Sequence, residues 1–168
     1  VTETRWLDSR ENRTWLAYND MSRHLNQALE RQFASAGLSS SDFELLTVLS
    51  RAPDQRLRAR DLGRLVRWDR SRISHQLRRM EQRGLVQRKD CADDARGVTV
   101  HLTDEGREAL EAVQPGHIDA VRRLFLDQLT PDEMDLLTTI ANRVMSRIAE
   151  DPFGPGTSIY IATIHPDS

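Results

Sequence analysis

The stretch that decides the fold is Arg58–Arg107, RARDLGRLVRWDRSRISHQLRRMEQRGLVQRKDCADDARGVTVHLTDEGR. A short helix at Ala59–Val66 comes first. Asp69 or Ser71 then caps a longer helix carrying Ile73, Leu77 and Met80, which ends at Gly84. Leu85–Arg88 and Val98–Leu102 read as two short strands around a polar tip, and Thr103 caps a further helix with Glu105 and Gly106 in its first turn. The stretch is also where positive charge collects. Arg51–Gly97 holds 14 Arg and Lys against 7 Asp and Glu, a net of +7, whereas the rest holds 10 against 19, a net of −9. An acidic chain of net charge −2 that concentrates its cations in one module is built to touch a polyanion locally.

Helix, helix, β-hairpin, helix is the order of a winged helix-turn-helix, so the longer helix is a candidate recognition helix. At about 100° per residue, Ile73, Leu77, Met80 and Gly84 define its inward face. Ser71, His75 and Arg78 then point the other way, flanked by Arg72 and Arg79, with Arg70 and Ser74 beside them. All are hydrogen-bond formers, and those at the N-terminal end stand where a recognition helix meets base edges. Arg72 or Arg78 can fork onto guanine, while Ser71 and Ser74 are less discriminating. Arg58, Arg60 and Arg64, near the start of the preceding helix, suit phosphate contacts that fix register. A single outward Arg more often only solvates its helix. The whole polar face beside a basic hairpin favours double-stranded DNA as partner.

Outward from this module the chain is helical. Trp15, Tyr18, Met21, Leu25, Leu29 and Phe33 form one apolar stripe on a helix from about Ser9 to Ala34, which Gly37 stops. Ser39 to Ser41 offer caps for a second helix carrying Phe43, Leu45, Leu46, Val48 and Leu49, closed by Pro53-Asp54. The helix after Thr103 continues through Leu110, Val113, Ile118, Val121 and Leu124, and Pro115-Gly116 inside it predicts a kink or break. Thr130-Pro131-Asp132-Glu133 starts a last helix that reaches about Ala149. Asp151–Gly156 is a Pro/Gly linker, and Ser158–Ile164 is either a lone strand or a trailing tail. The expected fold class is mainly α with a small β-hairpin wing (α+β).

Asp42-Phe43-Glu44-Leu45-Leu46, Arg58–Leu65, Ser71–Leu77, Met80-Glu81, Arg83-Gly84-Leu85-Val86 and Asp94-Ala95-Arg96 leading to Leu102-Thr103-Asp104-Glu105-Gly106 together resemble a MarR-type transcriptional regulator. The resemblance covers roughly Trp15 to Ile148, and the D-x-R wing followed by LT-x-x-G is its most specific part. It implies that Arg96 at the wing tip enters the minor groove, where narrow A·T tracts concentrate negative potential, and that Asp94 holds that Arg or braces the hairpin. Gly97 would allow the turn its unusual dihedrals. It also implies an obligate homodimer, made by an N-terminal dimerisation helix (1–36) and C-terminal helices (103–149) around a DNA-binding lobe (37–102). In that lobe the recognition helix spans about 70–84 and the wing about 86–102, with 150–168 as linker and tail. A two-fold dimer reads a palindromic operator with half-sites about one helical turn apart, roughly 10 bp. The expected function is a repressor on such an operator; a winged helix used as a protein–protein module, with only non-specific DNA binding, is the alternative.

The signal sensed is less legible. Members of the family often bind small aromatic anions between dimer body and DNA lobe, where Trp15, Tyr18, Asn19 and Trp68 could line a cleft; interface core and packing anchor are the plainer roles for the three aromatics. Cys91 sits near Lys89, Arg88 and Arg96, which favour a thiolate, and near Asp90, Asp93 and Asp94, which oppose it. A plain surface-loop thiol is the expectation. His24, His75, His101, His117 and His165 form no i, i+4 pair and have no nearby Cys, so no metal site and no cofactor are expected, although His117 with Glu111 hints at a cluster. No nucleophile motif or phosphate-binding glycine loop is present, which argues against an enzyme. One cysteine, no apolar run of membrane length and no leader make the cytoplasm the expected location.

Overall fold

A computed structural model describes residues 5–34, 36–91 and 94–150, the side chains at positions 91 and 94–96 excepted. The elements run α1 (Ser9–Ala34), α2 (Ser40–Arg51), β1 (Arg56–Arg58), α3 (Ala59–Val66), α4 (Arg70–Gln82), β2 (Val86–Cys91), β3 (Asp94–Leu102), α5 (Asp104–Leu124) and α6 (Pro131–Glu150). Short 3-10 turns at Pro53–Gln55 and Leu126–Gln128 join α2 to β1 and α5 to α6. The fold is a winged helix-turn-helix lobe flanked by terminal helices. No helix among the described residues is long and apolar enough to cross a membrane.

Local chemistry sets the helix ends. α2 opens on a capping box, in which the Ser39 hydroxyl accepts the Asp42 amide (3.1 Å) and the Asp42 carboxylate accepts the Ser39 amide (2.9 Å). Of the two caps expected for α4, Asp69 is used: its carboxylate accepts the Arg72 amide at 2.9 Å. α4 stops in a Schellman motif, with Gly84 N–H donating to the Glu81 carbonyl and Leu85 N–H to the Met80 carbonyl. Gly84 therefore does not belong to the inward face of α4, as its spacing suggested. It is exposed at φ +74°, a left-handed cap residue, while Met80 and Leu85 are buried on either side of the turn.

The core lies inside the lobe. Leu45, Leu46 and Leu49 of α2 pack with Leu62 and Val66 of α3, Ile73, Leu77 and Met80 of α4, and Val86 and Val100 of the sheet. Phe33 from the end of α1 and Leu110 and Val113 from α5 close this cluster from outside. The LT-x-x-G spacing has a packing reason. The Thr103 hydroxyl donates to the Gly84 carbonyl (2.6 Å) and accepts the Gly106 amide (3.0 Å), which draws the first turn of α5 onto Leu85. A Cβ at position 106 would overlap the Leu85 carbonyl oxygen, so only glycine fits.

Three expectations change. The sheet has three strands in the order β1-β3-β2, because Arg56–Arg58 pairs antiparallel with β3 through Arg56↔His101, Leu57↔Val100 and Arg58↔Thr99. Three residues are too few to show a period of two, and the partner edge supplies the pairing. β2 and β3 are also longer than the apolar runs alone indicated. The break allowed for at Pro115 does not occur, and α5 runs as one helix, Asp104–Leu124, through it. Pro115 and Glu111, whose carbonyl loses its donor, both lie on the exposed surface, where water can replace the bond. The tail Ser158–Ile164 lies outside the described residues.

Candidate nucleic-acid interface

The turn between α3 and α4 is short and anchored. Arg67 takes a left-handed conformation (φ 53°), the Trp68 amide donates to the Gly63 carbonyl (2.9 Å), and the Trp68 indole is only 9% exposed in the core. This fixes where α4 starts. Ile73, Gln76, Leu77 and Met80 are buried, and Arg70, Ser71, Arg72, Ser74, His75, Arg78 and Arg79 are all exposed, as the helical wheel required.

The exposed residues are not equivalent. Ser71, Ser74, His75 and Arg78 have no protein partner among the described residues. Arg79 donates to the Gln76 side chain, and the Arg72 guanidinium lies over the Trp68 ring, 3.9 Å from its centroid. Around the start of α3, Arg60 and Arg64 share the Asp61 carboxylate at 3.6 and 3.7 Å, exposed pairs too weak to keep either from a phosphate. Arg58 ends β1 and occupies the N-cap position of α3, so it too stands at this edge.

Two ion pairs hold this surface in register, and neither was visible in the sequence. Asp42 is 1% exposed; its carboxylate accepts Gln76 Nε2 (2.7 Å) and Arg83 Nη1 (2.8 Å), while Arg83 also donates to the Gly37 carbonyl. Burial pushes the Asp42 carboxyl up, but the bonds from Ser39 and Arg83 outweigh it and hold the group below its ordinary value. The carboxylate thus joins the α1–α2 turn to the recognition helix. In the last turn of α4, Glu81 accepts the Arg88 amide (3.0 Å) and Arg88 Nε (2.8 Å), which depresses its pKa and ties the wing strand β2 to the helix. A spacing of 34 residues between Asp42 and Gln76 carries no periodic signal.

In the wing, β2 and β3 pair from Val86↔Leu102 to Asp90↔Val98, then shift register before Cys91↔Asp94. The side chains of Cys91, Asp94 and Arg96 lie outside the described residues. His101 sits between Gln87 and Arg56 across the sheet; partial burial, then Lys89 and Arg56, lower its pKa.

The four aromatic-site candidates do not share one setting. Trp15 and Tyr18 stack with centroids 5.9 Å apart, both 55% exposed, and Asn19 donates to the Trp15 carbonyl (2.8 Å). Trp68 belongs to the lobe core. His117, whose spacing pointed only to Glu111, instead packs its ring between Phe33 (5.1 Å) and Phe43 (4.7 Å), with a buried Nδ1 that has no partner. Burial lowers its pKa. No group of three His, Cys, Asp or Glu among the described residues is arranged to hold a metal ion.

A family model described as MarR family matches residues 36–97. Among solved structures, AbsC, a MarR family transcriptional regulator from Streptomyces coelicolor, is 34% identical with a TM-score of 0.83, over 88% of this chain and 100% of that one. Sco3205, a MarR family regulator from the same organism solved in complex with DNA, is 37% identical with a TM-score of 0.83, over 93% of this chain and 98% of that one. The transcriptional repressor YetL of Bacillus subtilis is 27% identical over 143 residues, 85% of each chain.

Proposed function

The chain belongs to the MarR family of transcriptional regulators, and from that premise we propose that it is a homodimeric repressor of a pseudo-palindromic operator, released by a small aromatic effector. A regulator, not an enzyme, is what the family makes it. The observation that carries the reading is the outward face of α4, where Ser71, Ser74, His75 and Arg78 stand without protein partners among the described residues, on a helix held at its start by the Asp69 cap, at Gln76 by Asp42 and in its last turn by the Glu81–Arg88 pair. A recognition helix needs donors and acceptors that are unspent but rigidly placed. Arg58, Arg60, Arg64 and Arg70 contact phosphates, and Arg96 of the wing enters the minor groove, with Asp94 holding that Arg or bracing the hairpin. The neighbour solved with DNA and the relative named a repressor support both parts.

Dimerisation is supported by apolar surface that one chain leaves uncovered. No residue of α6 is buried, and Leu136, Ile140 and Val144 are exposed along one side of it, with Trp15, Leu16 and Met21 exposed on α1. A 20-residue helix without packing is marginal in water, so a second copy of segments 1–36 and 103–149 is what stabilises it. An aromatic effector would act at Trp15, Tyr18 and Asn19, close to this body, and release DNA only through unequal affinity for the two states.

The test is selection from a randomised duplex library at two salt concentrations. An A·T-flanked palindrome with steeply salt-dependent affinity is the expected outcome. Arg96→Ala should weaken binding about tenfold or more; unchanged affinity removes the wing from the account. No enriched motif would make the protein–protein module the better reading.

A further inference from the structure

Arg72 differs from the other outward arginines of α4 in lying over an aromatic ring. Its guanidinium carbon lies 3.9 Å from the centroid of the Trp68 ring, and that ring is immobilised in the core by the α3–α4 turn. Stacking uses the face of a guanidinium and leaves its in-plane N–H fork unspent. The backbone of Arg72 is equally constrained, because its amide is the one that Asp69 caps. Glu44 of α2 is half-buried and close enough to feel the charge of Arg72. A phosphate approaching this fork would meet a neighbouring carboxylate, whereas the O6 and N7 acceptors of guanine carry no net charge to repel.

We propose that Trp68 is a specificity-determining residue of this regulator, a platform that holds Arg72 in one plane so that its fork reads a guanine at one position of each half-site. Trp68 touches no base and acts through Arg72. The proposal rests on the DNA-reading function and assigns one base within it. It also gives Trp68 a role other than effector binding.

The experiment is duplex selection with the full chain carrying Arg72→Ala, Arg72→Lys, Trp68→Leu, Trp68→Phe or Glu44→Gln, with affinities measured on the wild-type site and its guanine-substituted variant. Arg72→Ala and Arg72→Lys should both lose the preference at a single symmetric position, roughly tenfold to hundredfold, since Lys cannot fork. The slope of affinity against salt should stay as in the wild type. Trp68→Leu should erode the same preference and no other, and Trp68→Phe, which keeps a weaker ring, should fall between. Glu44→Gln should retain the guanine and steepen the salt slope as phosphate repulsion is relieved. If Trp68→Leu does not fold, by thermal melting, the Phe and Lys variants decide. A motif unchanged in Arg72→Ala with a salt slope lower by about one would make Arg72 a phosphate contact and overturn the proposal. A guanine preference that survives in both Trp68 variants would remove the platform. A wild-type protein that selects no motif removes the DNA-reading premise itself, a result distinct from either.

Discussion

The lobe from α2 to β3 and the helices α1, α5 and α6 treat their apolar residues in opposite ways. In the lobe, Leu45, Leu46, Leu49, Leu62, Val66, Leu77 and Met80 are sealed from solvent, and even its buried acid, Asp42, accepts from four donors, the Ser39 amide and hydroxyl, Gln76 and Arg83. On the flanking helices, Phe33, Leu110, Val113 and Ala120 are enclosed, but Trp15, Leu16, Ile118 and Leu124 are exposed, and α6 buries nothing. A small domain usually gains a core before it gains a partner surface. Here the lobe closes its core with Phe33, Leu110 and Val113 from the flanking helices, which in turn leave Trp15, Leu16, Ile118, Leu136 and Ile140 exposed. The lobe determines where the recognition helix points, and the helices determine what it is held against.

Four variants break or sharpen that contrast. Asp42→Ala should be the most damaging to the lobe, at about 3 kcal/mol, because it strands Gln76 and Arg83; a thermal melt should show the loss whatever the oligomeric state. Ile140→Asp should instead leave the lobe folded and abolish the dimer, lowering operator affinity at least roughly hundredfold as linked half-site binding is lost. Analytical ultracentrifugation beside circular dichroism reads this, and a dimer that survives would mean that α6 is not the interface. Gly106→Ala should destabilise by about 2 kcal/mol through overlap with Leu85, the cost of overpacking against backbone.

The smallest effect is on pH dependence where the two regions meet. The folded pKa of His117 lies below the ordinary 6.5, so the unfolded chain binds its proton first on acidification. Stability is therefore complete above pH 6.5 and falls as pH drops from there toward the lowered folded value. His117→Phe, which can stack with Phe33 and Phe43, should remove that slope in melts between pH 7.5 and 5. If the slope persists, another group titrates. The loss from Asp42 has the same sign in a lower window, below its ordinary 3.8, so the two separate on the pH axis.

The helices were legible because each announces itself locally. Ser39, Asp69 and Thr103 cap, Gly84 stops, and an apolar stripe at helical spacing marks a face. The polar outer face of α4 was legible for the same reason, since one periodic pattern implies its complement. β1 was not, because a strand of three residues has no pattern apart from its partner. Nor was the distinction among the arginines: Arg72, Arg78 and Arg79 look alike in a row of letters, and only the ring of Trp68 and the amide of Gln76 set two of them apart.

The sequence by itself determined the element order, the inward and outward faces of the recognition helix and the basic character of the module, all of which depend on spacing and composition along a short length of chain. The tertiary structure decided which polar side chains are already engaged and which stand free for a ligand. It also decided that Asp42 reaches α4 across 34 residues, that Gly106 must be glycine, and that Pro115 lies within an unbroken helix. Those outcomes depend on through-space distances of a few ångströms, which exist only after the chain has closed on itself.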